Sequence, residues 1–142
     1  MRASMEISKE FRYSSGYKYQ LKSNVVIQTT LRPETPRFIQ GYVFLDADGS
    51  LIIYRGYAWD GCTNAPDTDS NTLAGLVHDA LYQLMQEDIL DKSFKPLADD
   101  MLRDTMISQG AFKSTADLFH FAVKEFGGVH MKAKKVRSLQ IR

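Results

Sequence analysis

The chain has 142 residues, 44% of them hydrophobic and 11% aromatic, the length of one domain with enough apolar material for a core. No run approaches the roughly 20 apolar residues of a membrane span, no apolar stretch follows Met1-Arg2-Ala3-Ser4 as in a signal peptide, and a single cysteine, Cys62, rules out an intrachain disulfide or a cysteine-based zinc site. The net charge of +1 hides an asymmetry, because Lys132, Lys134, Lys135, Arg137 and Arg142 put five positive charges and no acid into the last eleven residues, leaving −4 on the rest.

Residues 1 to 21 alternate poorly and carry Tyr13, Tyr17 and Tyr19 around Ser14-Ser15-Gly16, the pattern of an irregular segment or an edge strand. Val25 to Leu31 is a β-branched run stopped by Pro33 and Pro36 and reads as a strand. Phe38 to Leu45 and Leu51 to Tyr57 flank Asp46-Ala47-Asp48-Gly49-Ser50, whose Asp-Gly step supplies the backbone freedom of a hairpin turn. A loop of small and polar residues follows from Trp59 to Pro66. Asp69 or Ser70 caps the next helix, in which Leu73, Val77, Leu81 and Leu84 form an apolar stripe that runs to about Gln86. Pro96 suits the first turn of a second helix, with Leu97, Met101, Leu102, Thr105 and Met106 at helical spacing and Gly110 closing it. Ser114 or Thr115 begins a third, with Leu118, Phe119, Ala122, Val123 and Phe126 inward and Gly127-Gly128 as its end. The expected fold is α+β in a single domain, residues 1–142: a small antiparallel sheet over 1–57, a loop over 58–70, three helices over 71–128 and a basic tail over 129–142.

The chemistry gathers on the first two helices. His78-Asp79-Ala80-Leu81-Tyr82 puts an imidazole, a carboxylate and a phenol on one helical stretch. Residues four apart stack on one face, so His78 and Tyr82 point together, with Asp79 displaced about 100° around the axis. On the second helix Asp99 shares a side with Leu102 and Met106, which aims a carboxylate into the helix-helix interface. A buried carboxylate needs partners, and antiparallel packing brings it against His78. A carboxylate that accepts from one imidazole nitrogen fixes the tautomer and leaves the other nitrogen free as a base. Taken alone, these residues fit both a catalytic pair acting on water and a buried structural pair. His120 and His130 read as surface residues, Tyr57 and Trp59 as core or rim packing, and Phe119, Phe121 and Phe126 as packing.

The order of a glycine-containing loop, Gly56-Tyr57-Ala58-Trp59-Asp60-Gly61, then His78-Asp79-x-x-Tyr82, then Ala98-Asp99 on an antiparallel partner resembles phospholipase A2, above all the disulfide-free form in parvovirus capsid proteins. The resemblance implies Ca2+ held by Asp79 and by backbone carbonyls of Tyr57, Trp59 and Gly61, with Asp60 as a further carboxylate that the family's loop does not lead one to expect. It also implies His78 as general base on a water, Asp99 as its orienting partner and Tyr82 as a support of that network. Such a calcium ion would polarise an ester carbonyl, and an imidazole suits proton removal near neutral pH. The same stretches, with Phe126-Gly127 added, look closer still to small bacteriophage-encoded proteins of unknown function, over about residues 50–128. That implies a phage protein of the host cytoplasm or the virion. It would act on a phospholipid membrane or, in the alternative, serve as a non-enzymatic module that binds other virion proteins. The basic residues 132–142 suggest contact with nucleic acid or another anionic surface.

Overall fold

The computed structural model describes residues 7–9, 19–59 and 69–133, with side chains over 19–59 and 71–125. Instead of one small sheet the described residues form two, both antiparallel. The first contains β1 (Ile7–Lys9), β2 (Tyr19–Leu21) and β7 (Ala58–Trp59), ordered β1-β2-β7. The second contains β3 (Val25–Gln28), β4 (Arg37–Ile39), β5 (Val43–Leu45) and β6 (Ser50–Ile53), ordered β3-β6-β5-β4. The two-residue period of a strand is visible in the burial: Val43, Leu45, Leu51 and Ile53 are fully buried, whereas Phe44 and Ile52 between them are half-buried. β2 is also tied to the residues just before β7, where Leu21 N–H donates to Tyr57 O and Gly56 N–H donates to Leu21 O, each at 2.9 Å.

Local competition for backbone groups sets the strand ends. β3 stops at Gln28, short of Leu31, because the Thr29 hydroxyl donates to Gly49 O at 2.7 Å and accepts the Leu31 N–H at 3.1 Å, diverting that donor from a ladder. The expected strand from Phe38 to Leu45 is itself a hairpin, β4 and β5, with Gly41 at φ +81° in its turn. The Asp-Gly hairpin between β5 and β6 forms as the sequence suggests, with Asp46 N–H on Ser50 O at 2.9 Å and Gly49 at φ +91°. β6 ends at Ile53, short of Tyr57, and Gly56 at φ +97° turns the chain into β7.

The helices carry the site. α1 (Asp69–Gln86) has Asp69 and Ser70 as its first two residues, and from Asn71 to Gln86 Asp79 alone is not buried. A helix covered on nearly every side lies in the middle of a structure. α1 is clasped between the sheets and α2 (Lys95–Ser108), which runs antiparallel to it and is reached through a single 3-10 turn, Lys92–Phe94. Pro96 occupies the first turn of α2, and Gly110 at φ +102° follows its end, as expected from the sequence. One apolar cluster joins both sheets to α1 and the start of α2; a second joins Ala74 of α1, Leu102 and Met106 of α2 and Ala116 of the third helix.

That third helix, α3 (Lys113–Ala133), departs most from expectation. It does not end at Gly127-Gly128 but continues through them, although glycine in a helix interior costs about 1 kcal/mol relative to alanine. Its inward stripe is Ala116, Phe119 and Val123, with half-buried His120 beside them, while Leu118 and Phe121 are 65% and 57% exposed and Ala122 is also exposed. The spacing permits either stripe; the one that packs against Leu102 and Met106 of α2 and Ala74 of α1 begins at Ala116. Phe126 lies outside the described side chains. No helix among the described residues is long and apolar enough to cross a membrane.

Two glycines separate backbone cost from steric cost. A Cβ on Gly41 would meet nothing, whereas one on Gly49 would lie 2.6 Å from Thr29 O and 2.8 Å from Leu31 O and would also strike Arg32 Nη1. Urea denaturation is expected to show Gly41→Ala losing about 1 kcal/mol from its left-handed backbone alone and Gly49→Ala losing about 3 kcal/mol or more as overlap is added. Equal losses would show that the Thr29-Gly49 contact yields freely.

Candidate functional site

His78, Tyr82 and Asp99 meet at the interface of α1 and α2. His78 and Tyr82, one turn apart, have ring centroids 4.0 Å apart at a tilt of 40°. Asp99 reaches them from α2, with Oδ1 2.8 Å from His78 Nε2 and 2.5 Å from the Tyr82 hydroxyl. His78, Tyr82 and Asp99 are 7%, 4% and 2% exposed, so the carboxylate is almost wholly removed from water. The helical spacing read from the sequence therefore puts the imidazole, phenol and carboxylate together.

Sequence reasoning missed a fourth group. Lys95 Nζ donates to Asp99 Oδ2 at 2.8 Å, and the same ammonium lies 6.0 Å from the Tyr82 ring centroid. The signal was present as a lysine four residues before Asp99, a spacing at which opposite charges pair along a helix. A second His-Asp contact was also missed: His120 Nε2 lies 2.8 Å from Asp100 Oδ1, joining α3 to α2, so His120 is half-buried and paired instead of a surface residue.

The protonation pattern follows from these contacts. Burial opposes ionisation of Asp99, but the hydrogen bonds from His78, Lys95 and Tyr82 outweigh it and hold the carboxyl below the usual carboxylate range. Burial, followed by the bond to Asp99 and the charge of Asp99, pushes the Tyr82 hydroxyl well above its ordinary range, so it stays a phenol and a donor. An ionised carboxylate only accepts, so His78 must present Nε2–H to it. Nδ1 is then the ring position with a lone pair, and among the described residues nothing hydrogen-bonds to it.

The residues that the resemblance assigns to calcium are not drawn together in the same way. Asp60 and Gly61 lie outside the described residues. Tyr57 and Trp59 are fully buried core residues; the Tyr57 hydroxyl donates to Gln83 Oε1 at 2.7 Å, and the Tyr57 carbonyl accepts the Leu21 N–H at 2.9 Å. Asp79 is half-buried at the edge of α1 and has a polar partner of its own. Among the described residues there is no group of three or more His, Cys, Asp or Glu placed to hold a metal. Two of the buried polar atoms without partners, Trp59 Nε1 and Gln83 Nε2, are N–H donors, which a cation does not satisfy. With Asp60 and Gly61 outside the described residues, calcium stays a proposal, and no chemical step below passes through a metal.

Compared with known protein families, curated proteins and solved structures, the chain matches none.

Replacing Asp99 by Asn removes the charge and turns one acceptor oxygen into a donor, so three donors must share one neutral oxygen. Asp99→Asn is expected to lose about 3–5 kcal/mol near neutral pH, the cost of breaking a buried pair. Because the folded protein holds Asp99 below its ordinary range, the stabilisation is present above the unfolded value of about 3.9 and fades as pH falls through the folded one. Urea midpoints of wild type and variant should therefore converge as pH falls below the unfolded value. A gap of constant size would mean that packing, not charge, carries the effect.

Proposed function

We propose that the chain is a phospholipase A2-like hydrolase of bacteriophage origin, in which His78 removes a proton from a water that attacks a phospholipid ester. The observation that carries this reading is the state of the ring. Nε2–H is held by a buried, ionised Asp99, and Nδ1 takes no hydrogen bond from any described residue. A base poised in this way takes a proton from water at Nδ1 as the water oxygen bonds to the ester carbonyl carbon. It then returns the proton to the departing alkoxide, so that fatty acid and lysophospholipid are released. Asp99 and Tyr82 undergo no net change; they hold the tautomer.

Membranes fit this substrate class through charge as well. The five positive charges within 132–142 would add roughly 1 kcal/mol of attraction each to an anionic lipid surface. A second reading is favoured by the depth of burial: with His78 at 7% and Asp99 at 2% exposure, the same network would weld α1 to α2 in a non-enzymatic virion or accessory module.

Fatty-acid release from mixed phospholipid vesicles, measured with and without added Ca2+, separates the two. The hydrolase reading expects release, lowered about 100-fold or more in His78→Ala while that variant remains folded; a requirement for added Ca2+ would support the ligand set that the resemblance implies. Wild-type protein that releases nothing and whose melting temperature ignores calcium, together with a loss of several kcal/mol in His78→Ala, would leave the structural reading standing alone.

A further inference from the structure

The ammonium of Lys95 has three acceptors: Asp99 Oδ2 at 2.8 Å, Val123 O at 3.3 Å and Lys124 O at 3.2 Å. A lysine ammonium has three N–H donors, so these contacts use its whole capacity. Two of the acceptors lie within α3, where a carbonyl ordinarily bonds the N–H four residues later. For Val123 and Lys124 those later residues are Gly127 and Gly128. Helical side chains lean back toward the N-terminus, so the residue four positions on stands over the carbonyl. Glycine at both positions puts nothing there, and the Lys95 ammonium reaches bare backbone. The glycine pair that reads as a helix stop is placed where a stop would break this contact and where a side chain would crowd it.

We infer that Lys95 is a positioning residue of the site, fixing the Asp99 carboxylate, and through it the His78 ring, against the backbone of α3. Asp99 Oδ1 serves both His78 and Tyr82, while Oδ2 has Lys95. The terminal torsion of an aspartate is broad and weakly held by its own rotamers, so an anchor on Oδ2 is what gives Oδ1 a direction. A displacement of the later half of α3 would reach His78 by the same route. The catalytic consequence rests on the reading of His78 as a base; the geometric one does not.

Nitrogen-15 NMR of the His78 ring in the full chain, at a pH where imidazole is neutral, tests this directly. Wild type is expected to show one Nε2–H tautomer, with widely separated shifts for the two ring nitrogens. In Lys95→Met the separation should shrink as the tautomers interconvert. It should shrink also in Gly128→Leu, which keeps Lys95 but crowds its seat, with far-ultraviolet circular dichroism unchanged in both. An unchanged ring signature in folded Lys95→Met overturns the inference. If that variant does not fold, Gly128→Leu decides, and an unchanged signature there overturns it equally. Where wild type hydrolyses phospholipid, both variants should lose about tenfold or more in kcat with KM held. Where it does not, the general-base reading falls and the ring signature still decides the role of Lys95.

Discussion

A carboxylate 2% exposed between two helices is a liability that the surrounding atoms must offset. Asp99 is stabilised by one imidazole, one phenol and one ammonium, contributed from two helices, and burial alone would push it toward the neutral form. Three donors reverse that direction. The arrangement also sets the register of α1 against α2: sliding either helix by one turn would strand the charge, at a cost of several kcal/mol. Apolar contacts on either side of the network tolerate small shifts; a buried ion with directional partners does not.

α2 is the hub because two consecutive carboxylates, about 100° apart around its axis, face different neighbours. Asp99 is directed to α1 and Asp100 to His120 on α3. The sheets are joined to the same centre by the Tyr57 hydroxyl, which donates to Gln83, the residue after Tyr82. Each layer therefore meets the site through polar contacts set in apolar packing, from Tyr19 and Trp59 on one side to Met106 and Ala116 on the other.

How much of this the sequence displays depends on the range of the cause. The His78-Tyr82 pairing follows from a four-residue spacing, and the inward face of Asp99 follows from Leu102 and Met106, so the α1–α2 part of the site was legible. The Asp-Gly hairpin was legible because Gly49 needs only its own turn. The end of β3 was not, since it depends on Thr29 meeting Gly49 twenty residues away. The facing of α3 was not either. Leu118 and Phe121 look inward by hydrophobicity, but the face that packs on Leu102 and Met106 carries Ala116, Phe119 and Val123, a choice made by the partner helix that no periodicity reveals. Gly127-Gly128 misled for a related reason: propensity counts what a helix loses at glycine, and the Lys95 contact that uses the bare backbone lies 28 and 29 residues away in the chain.

The catalytic and structural readings place different demands on one atom. A histidine kept only to join helices does best with both ring nitrogens bonded, because a half-satisfied polar group in a core is costly. Here the effort is one-sided. Asp99, Tyr82 and Lys95 converge on the geometry of Nε2, and nothing among the described residues bonds Nδ1. Asp79, the residue after His78, is also the one position from Asn71 to Gln86 that is not buried, so α1 is most open to solvent next to His78 in the chain. Rigidity on one nitrogen and freedom on the other is the division of labour a general base requires. The packing that makes the network stabilising is the same packing that keeps the His78 ring in place.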